Sequence, residues 1–379
     1  MEQLLLQSTI YQLVIAGILT VSLIIQLFYY LGIYSRVAFW KRKQVNNGEL
    51  PPVSIVICAK NEEDNIKEFL PNVLQQEYPE FEVVVVNDCS SDNSDILLNN
   101  LVKQYPNLKV TTIREDEKFT HSKKLALTVG IKAAKYNHLL LTDADCTPQS
   151  NKWLLNMAQN FSANTSIVIG YGGYFSRKGF VNKLIRIDTL FIALNYLGFA
   201  LAKKTYMGIG RNLAYTKTLF FENKGFASHT NIDSGDDDLF IQEVATKSNT
   251  RVELIPESQT RSVPRKTYTT WIRQKRRHLS TSGNYRHGIK WLLSLEPFSR
   301  IFFYASAIVL LALNYFPITI GAIVVFRLLI QLIIVKLSMN KLGEKKILLL
   351  TLFWDLFSPY FYARLLLVNK FSSNKPRWR

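Results

Sequence analysis

The sequence predicts an α/β protein, with a parallel sheet covered on both faces by helices and flanked by membrane-crossing segments at its N- and C-terminal ends. Three observations carry that reading. Runs of β-branched residues alternate with amphipathic stretches between about residues 50 and 295. Acidic and amide residues follow directly on the ends of those runs. Residues 11–33, "YQLVIAGILTVSLIIQLFYYLGI", carry no ionised side chain and exceed the roughly 20 residues that a bilayer crossing needs.

The elements follow in order. "VSIVICAKNEEDNI" (53–66) reads as a strand, a polar turn and a helix start. "FEVVVVNDCSSDNSDILLNNLVKQY" (81–105) repeats that plan, and "LKVTTIRE" (108–115) supplies a short strand. "KKLALTVGIKAAKYN" (123–137) reads as a helix, and "HLLLTDAD" (138–145) as a strand that runs into two carboxylates. Continuous apolar strands of this kind are buried on both faces. Ligands on such sheets gather at the carboxyl ends of the strands. Asn61, Glu62, Asp88, Asp143 and Asp145 all fall there.

Basic residues Arg36, Lys41, Arg42 and Lys43 follow the first apolar run. The positive-inside rule then sets residues 1–10 outside and residue 40 onward in the cytoplasm. The start lacks Lys or Arg, and no small-residue cleavage site follows the run, which argues against a signal peptide. Residues 301–337 are too long for one span; "NYFP" (314–317) divides them into spans at 300–316 and 317–337. Arg327 within the second needs a polar partner, and Asp355 is the expected one. Residues 347–368 are interrupted by Asp355, Pro359 and Arg364, so a spanning, a re-entrant and an interfacial helix all remain open; 369–379 form a basic tail. Residues 184–201 carry Arg186, Asp188 and Asn195 and read as an amphipathic helix in the membrane surface. A crossing there would put "DAD" and "GDDD" in opposite compartments.

The chain has 379 residues and a formal net charge of +17, which favours an anionic partner. Its three cysteines are too scattered for a zinc site or a disulfide framework, and read as small core residues. No glycine-rich phosphate loop or G-x-G-x-x-G follows the first strand, which disfavours an ATPase or a dinucleotide enzyme. The basic residues sit beside predicted spans, without a helix-turn-helix or an aromatic platform, so no nucleic-acid partner is expected.

Asp143 and Asp145 offer closely set oxygens that suit Mg²⁺ or Mn²⁺, ions that bridge to substrate phosphates. In "SGDDDLF" (234–240) three carboxylates repel one another. One can cap the following helix, and another can act as a general base with a raised pKa. In "TWIRQKRRHLSTSGNYRHG" (270–288) the basic run fits either a surface helix on anionic headgroups or a diphosphate clamp. Ser90, Ser91 and Asp92 fit helix capping as well as ligand contact.

Taken in order, "ICAKNEE", "VVVNDCSSDNS", "KKLAL", "DADC", "GIGRNLAY", "GDDDLF" and "QKRRH" resemble the membrane-embedded family 2 glycosyltransferases. These include cellulose, chitin and hyaluronan synthases and smaller bacterial surface-polysaccharide transferases. The resemblance implies a GT-A domain, Rossmann-like and built for a nucleotide-diphospho-sugar, over residues 50–295. It implies that Asn61, Glu62 and Asp88 hold the nucleobase and ribose, with Lys123 also on the nucleotide. Asp143 and Asp145 match the DxD pair, with Asp145 as the direct metal ligand. Asp237, preceded by Asp236, matches the general base. Gln274, Arg276, Arg277 and His278 fall on the Q-x-x-R-W motif for the diphosphate and acceptor entrance. Gly208, Gly210, Arg211 and Asn212 match the loop that lines the donor sugar.

The implied reaction is a metal-dependent, inverting transfer to a lipid-linked or polysaccharide acceptor, among membrane lipids at the cytoplasmic face of the cell membrane. The sequence departs from the family at Ser122 (Gly), Asp238 (Arg in several) and His278 (Trp), and it has few apolar spans. A histidine offers a smaller stacking face than tryptophan, which favours single addition over processive synthesis. A non-catalytic nucleotide-sugar-binding scaffold has no need of a base. A transporter or flippase calls for more helices than these.

Overall fold

A computed structural model describes residues 2–42, 50–114, 122–232 and 234–371, with backbone only for 2–8. Lys43 and most of the basic tail lie outside the described residues. The chain opens with helix α1 (Glu2–Leu27), which widens into a π-helical stretch (Phe28–Tyr34) and ends in α2 (Ser35–Ala38). The π stretch buries Tyr29, Tyr30, Ile33 and Tyr34. It packs on a later helix at Gly198, where an added Cβ would sit 2.9 Å from the Ile33 carbonyl oxygen.

Then follow β1 (Val53–Ala59), α3 (Glu63–Leu74), β2 (Phe81–Asp88), α4 (Ser94–Gln104), β3 (Leu108–Ile113), α5 (Lys123–Ala133) and β4 (His138–Asp143). Strands β3, β2, β1 and β4 lie side by side and parallel. Burial alternates along β1: Val53, Ile55 and Ile57 face one core with Ile66 and Leu70 of α3, while Val56 faces the other with Leu127 and Ile131 of α5. That two-sided burial explains the unbroken apolar run.

The rest of the α/β domain comprises β5 (Cys146–Pro148), α6 (Trp153–Ala158), β6 (Ile167–Gly170), β7 (Gly172–Tyr174), α7 (Phe180–Leu201), β8 (Leu213–Thr216), α8 (Lys217–Glu222), α9 (Leu239–Val244), β9 (Thr250–Glu253), β10 (Thr260–Ser262) and α10 (Tyr268–Leu279). The main sheet has the order β3-β2-β1-β4-β8-β6-β9, and β5-β10-β7 form a second, smaller sheet. The four strands expected in the sequence pair in parallel; the later strand β8 runs antiparallel to both β4 and β6. Its four residues, "LAYT", carry no signal of strand direction.

Among the described residues, four helices are long and apolar enough to cross a membrane, within Thr9–Ala38, Phe180–Leu201, His287–Ala312 (α11) and Pro317–Lys341 (α12). The chain is a membrane protein. Helix α7 stands apart from the other three, because 78% of its apolar window is buried inside the protein. The expectation that it lies in the membrane surface is therefore corrected: it is enclosed on most sides by protein. The "NYFP" turn joins α11 to α12, with Asn314 and Phe316 at φ of 53° and 42° and Pro317 opening α12. Helix α11 starts at His287, well before the expected residue 300.

Helix α13 (Leu350–Phe371) closes the described chain. The expected contact between Arg327 and Asp355 is present as an ion pair of 2.5 Å with both side chains fully buried. Arg300 also pairs with Asp355 (3.1 Å) and with Glu296 (2.9 Å). Further along α13, Phe361 stacks on Trp271 of α10 at 5.2 Å, and Tyr362 donates to Asp188 of α7. Near its end, Asn369 exchanges hydrogen bonds with Arg276 (2.9 and 2.8 Å).

Candidate active site

The carboxyl end of β1 turns at Asn61, whose φ is 54°. Its side-chain oxygen accepts from the Ser91 backbone N–H (2.7 Å) and hydroxyl (3.1 Å), and its own N–H donates to Ser90 (3.0 Å). The loops after β1 and β2 are thereby clipped together. Asp92 does the capping, accepting from the N–H groups of Ser94 (3.0 Å) and Glu63 (3.1 Å) at the starts of two helices. Asp88 is fully buried at the end of β2. Glu62 is pushed up to about 7 by burial, opposed by a hydrogen bond from Asn65 and reinforced by Asp145 and Asp143.

Asp143 ends β4, and Asp145 follows two residues later, after Ala144. Ser262 donates to Asp145 Oδ1 at 2.9 Å. Burial, then the charge of Asp143, raises the Asp145 carboxyl above its usual range. Asp143, Asp145 and Cys146 each bring one donor atom within 4.8 Å of the others. Burial, then the charge of Asp145, raises the Cys146 thiol well above its ordinary pKa. The closely set oxygens of Asp143 and Asp145 fit a hard ion such as Mg²⁺ or Mn²⁺.

The three carboxylates before α9 have different partners. Asp236 pairs with Lys123 Nζ at 3.0 Å, and the same ammonium lies 2.9 Å from Asp143. Burial opposes charge on both partners, yet the ion pair holds Asp236 below its usual range and Lys123 well above its own. Asp238 caps α9 through the Leu239 N–H (2.7 Å) and accepts from Thr281 (2.5 Å) and Tyr285 (2.7 Å). Among the described residues, Asp237 accepts the Gly210 N–H alone, at 2.9 Å, and is pushed up to about 8 by burial, then by Asp236 and Asp238. One acid is a cap, one a lysine partner, and the third fits a general base.

These groups share a cavity of about 690 Å³, lined by Lys123, Asp143, Asp145, Asp236 and Asp237 on one side and by Gln274, Arg277 and His278 of α10 on another. Gln274 donates to the Tyr174 hydroxyl (3.4 Å), and the Arg211 guanidinium lies 4.3 Å from the Tyr174 ring centre. Gly210 and Arg211 line the cavity as expected.

Other expected site residues stand elsewhere. Asn212 is fully buried, with its amide donating to the Tyr171 and Ser258 carbonyls and its oxygen accepting from Trp153. Its role is to fix the backbone where β6 meets β7. Gly208 is off the cavity and donates its N–H to the Asp237 carbonyl. Arg276 turns away to Asn369 and so joins α10 to α13. Asn61, Glu62 and Asp88 lie at the ends of β1 and β2, outside the cavity wall. Ser262 sits in a three-residue strand and was not singled out, whereas Lys275, a member of the expected basic run, pairs with the buried Asp188.

With this geometry established, a model of glycosyl transferase family 21 matches residues 18–379. The chain belongs to glycosyl transferase family 21. The resemblance to family 2 rests on motif order, whereas this match covers nearly the whole chain. Among solved structures, this family 21 chain is similar to the mannosyltransferase PcManGT from Pyrobaculum calidifontis, in complex with GDP-Man and Mn²⁺. The TM-score is 0.61 at 18% identity, covering 96% of this chain and 99% of that one. That likeness shows the GT-A fold.

Among curated proteins, the chain is 30% identical over 119 residues to the poly-beta-1,6-N-acetyl-D-glucosamine synthase of Staphylococcus aureus strain MSSA476, covering 31% of this chain and 28% of that protein. It is 33% identical over 93 residues to that of Staphylococcus epidermidis, covering 24% and 21%. The chain thus spans under a third of the curated relatives it matches.

Proposed function

We propose that this glycosyltransferase is metal-dependent and inverting, and that it adds a single sugar from a nucleotide-diphospho-sugar to a lipid-linked acceptor at the cytoplasmic face of the membrane. One observation carries the reading: the cavity that holds Asp143, Asp145 and Asp237 opens among membrane helices. Phe298 and Ile301 of α11 and Leu366 of α13 line it, yet are 58%, 47% and 45% exposed. An apolar mouth beside a polar, acidic interior suits an acceptor whose tail stays in the bilayer while its hydroxyl reaches Asp237.

The chemistry follows from the side chains. Asp237 takes the proton of the acceptor hydroxyl as that oxygen bonds to the anomeric carbon. The bond from that carbon to the nucleoside diphosphate breaks, and the leaving group takes both electrons. Attack from the opposite face inverts the centre, so an α-linked donor gives a β-glycoside. Arg277 and Gln274 direct N–H groups toward the diphosphate. Asp143 and Asp145 would hold Mg²⁺ or Mn²⁺, which supplies charge stabilisation for a departing diphosphate. Asn61, Glu62 and Asp88 stand where the nucleoside would extend beyond the cavity.

For topology, residues 1–10 lie outside and the catalytic domain in the cytoplasm. Helix α13 is re-entrant, because the residues just before it (Glu344) pair with Arg186 and the residues near its end (Asn369) pair with Arg276, both on the catalytic domain. A tag after residue 379 should be reached by reagents only from the cytoplasmic side. The local likeness to poly-beta-1,6-N-acetyl-D-glucosamine synthases favours processive synthesis as a second reading. Product length decides between the two. The direct test of the main reading is release of nucleoside diphosphate from a panel of UDP- and GDP-sugars, with and without Mn²⁺, given membrane lipids or soluble oligosaccharides. Turnover with oligosaccharides alone would reject the lipid acceptor.

A further inference from the structure

Strand β10 is only three residues long, and each residue holds a different part of the molecule. Thr260 Oγ1 donates to the Arg211 carbonyl at 3.0 Å. Ser262 Oγ donates to Asp145 Oδ1 at 2.9 Å. Between them, Arg261 donates to the Leu342 carbonyl at 2.8 Å, in the connection between helices α12 and α13. The same connection is pinned on both sides of that point. Gln259 Nε2 donates to the Lys341 carbonyl at 3.0 Å, and Arg186 Nη2 to the Lys345 carbonyl at 2.9 Å.

At the centre is Glu344, only 2% exposed. It accepts from Arg186 Nε at 2.9 Å and from the Tyr171 hydroxyl at 3.0 Å, and pairs with Arg186 Nη2 at 2.6 Å. Tyr171 in turn accepts at its carbonyl from the Thr260 N–H (3.2 Å), and its ring lies 5.2 Å from the Arg261 guanidinium. Gly173 leaves room for the arrangement: a Cβ there would fall 2.3 Å from Arg261 Nη1 and 3.1 Å from Glu344 Oε1. Joining α12 to α13 requires none of these contacts. A buried carboxylate with two directed partners fixes position as well as charge.

We propose that Glu344 is a positioning residue for the cation site. It touches neither metal nor substrate; through Tyr171 and the loop gripped by Arg261 it sets β10, and β10 holds Asp145 through Ser262. The membrane helices are thereby tied mechanically to the donor end of the cavity. The inference rests on Asp145 being a metal ligand, and hydrogen-bond partners of such ligands commonly change metal affinity 10–100-fold.

The experiment is Mn²⁺ binding, followed by electron paramagnetic resonance of the full chain in lipid nanodiscs without donor. Wild type, E344Q, S262A and the double variant are compared, with unfolding midpoints in parallel. S262A should weaken Mn²⁺ binding by about 10-fold and E344Q by a smaller factor. The double variant should bind no more weakly than S262A alone, since both act on one path. A lowered midpoint with unchanged Mn²⁺ affinity in E344Q would reduce Glu344 to a structural role and overturn the proposal. So would losses that multiply in the double variant. Absence of Mn²⁺ binding by the wild type would instead reject the metal reading itself, and the inference with it. Should E344Q fail to fold, R261K probes the same link with Glu344 and Arg186 intact, and the same two outcomes decide.

Discussion

Gly210 donates its backbone N–H to one oxygen of Asp237 at 2.9 Å, in a cavity that also holds the Asp143–Asp145 pair. The glycine thus sets the orientation of the proposed base, while burial and two neighbouring carboxylates raise its pKa to about 8. The basic form then increases as pH rises through that value. kcat/KM should climb toward a plateau above about pH 8. A profile flat across that range would remove Asp237 from the rate equation. Stability should move the other way: the folded state holds the proton more tightly than the unfolded, so stability declines as pH rises from the ordinary carboxylate range to about 8.

Lys123 lies between Asp143 and Asp236 and favours the charged form of Asp237. Lys123→Met should shift the midpoint of the pH–rate profile to higher pH and raise the donor KM. An unmoved midpoint would show that Lys123 does not act on the base.

Asp145→Asn should lower nucleoside diphosphate release by about 100-fold, in line with several kcal/mol of metal stabilisation. Chelation of divalent ions should do the same to the wild type and restore on adding Mn²⁺. Full activity in chelator would contradict the metal assignment.

The apolar mouth between α11 and α13 gives a specificity test. Ile301→Trp narrows it and should raise KM for a lipid acceptor severalfold while leaving donor KM unchanged. Equal effects on both constants would locate the acceptor path elsewhere.

Asp355 is fully buried between Arg327 and Arg300. Asp355→Ala strands Arg327 and leaves Arg300 with Glu296; it should destabilise the fold by about 3–5 kcal/mol, seen as a lowered unfolding midpoint. A midpoint like the wild type would mean that water or lipid already compensates the pair.

Much of this was legible in the chain. Strands β1, β2 and β4 showed themselves because burial on both faces requires unbroken apolar runs. Asp143, Asp145 and Asp237 were marked by the cost of placing carboxylates together. The Arg327–Asp355 pair followed from the cost of a lone charge in lipid. What stayed hidden depends on direction and on long-range contact. Asn212 and Gly208 belong to a motif whose residues look alike in sequence, yet Asn212 points into the core to satisfy carbonyls. Arg276 and Arg277 are neighbours on one helix, so successive side chains diverge, one toward Asn369 and one toward the cavity. Helix α7 has the composition of a span, and only its neighbours reveal that it is enclosed. Ser262 and Glu344 are single polar residues whose partners lie more than 100 positions away.

The most direct measurement is turnover by Asp237→Asn, with nucleotide affinity measured alongside. The substitution keeps the shape and removes the base. Sugar transfer should fall by about 10³-fold or more, with nucleoside diphosphate binding close to that of the wild type. Transfer at the wild-type rate would contradict the assignment of Asp237, and with it the account of how this cavity works.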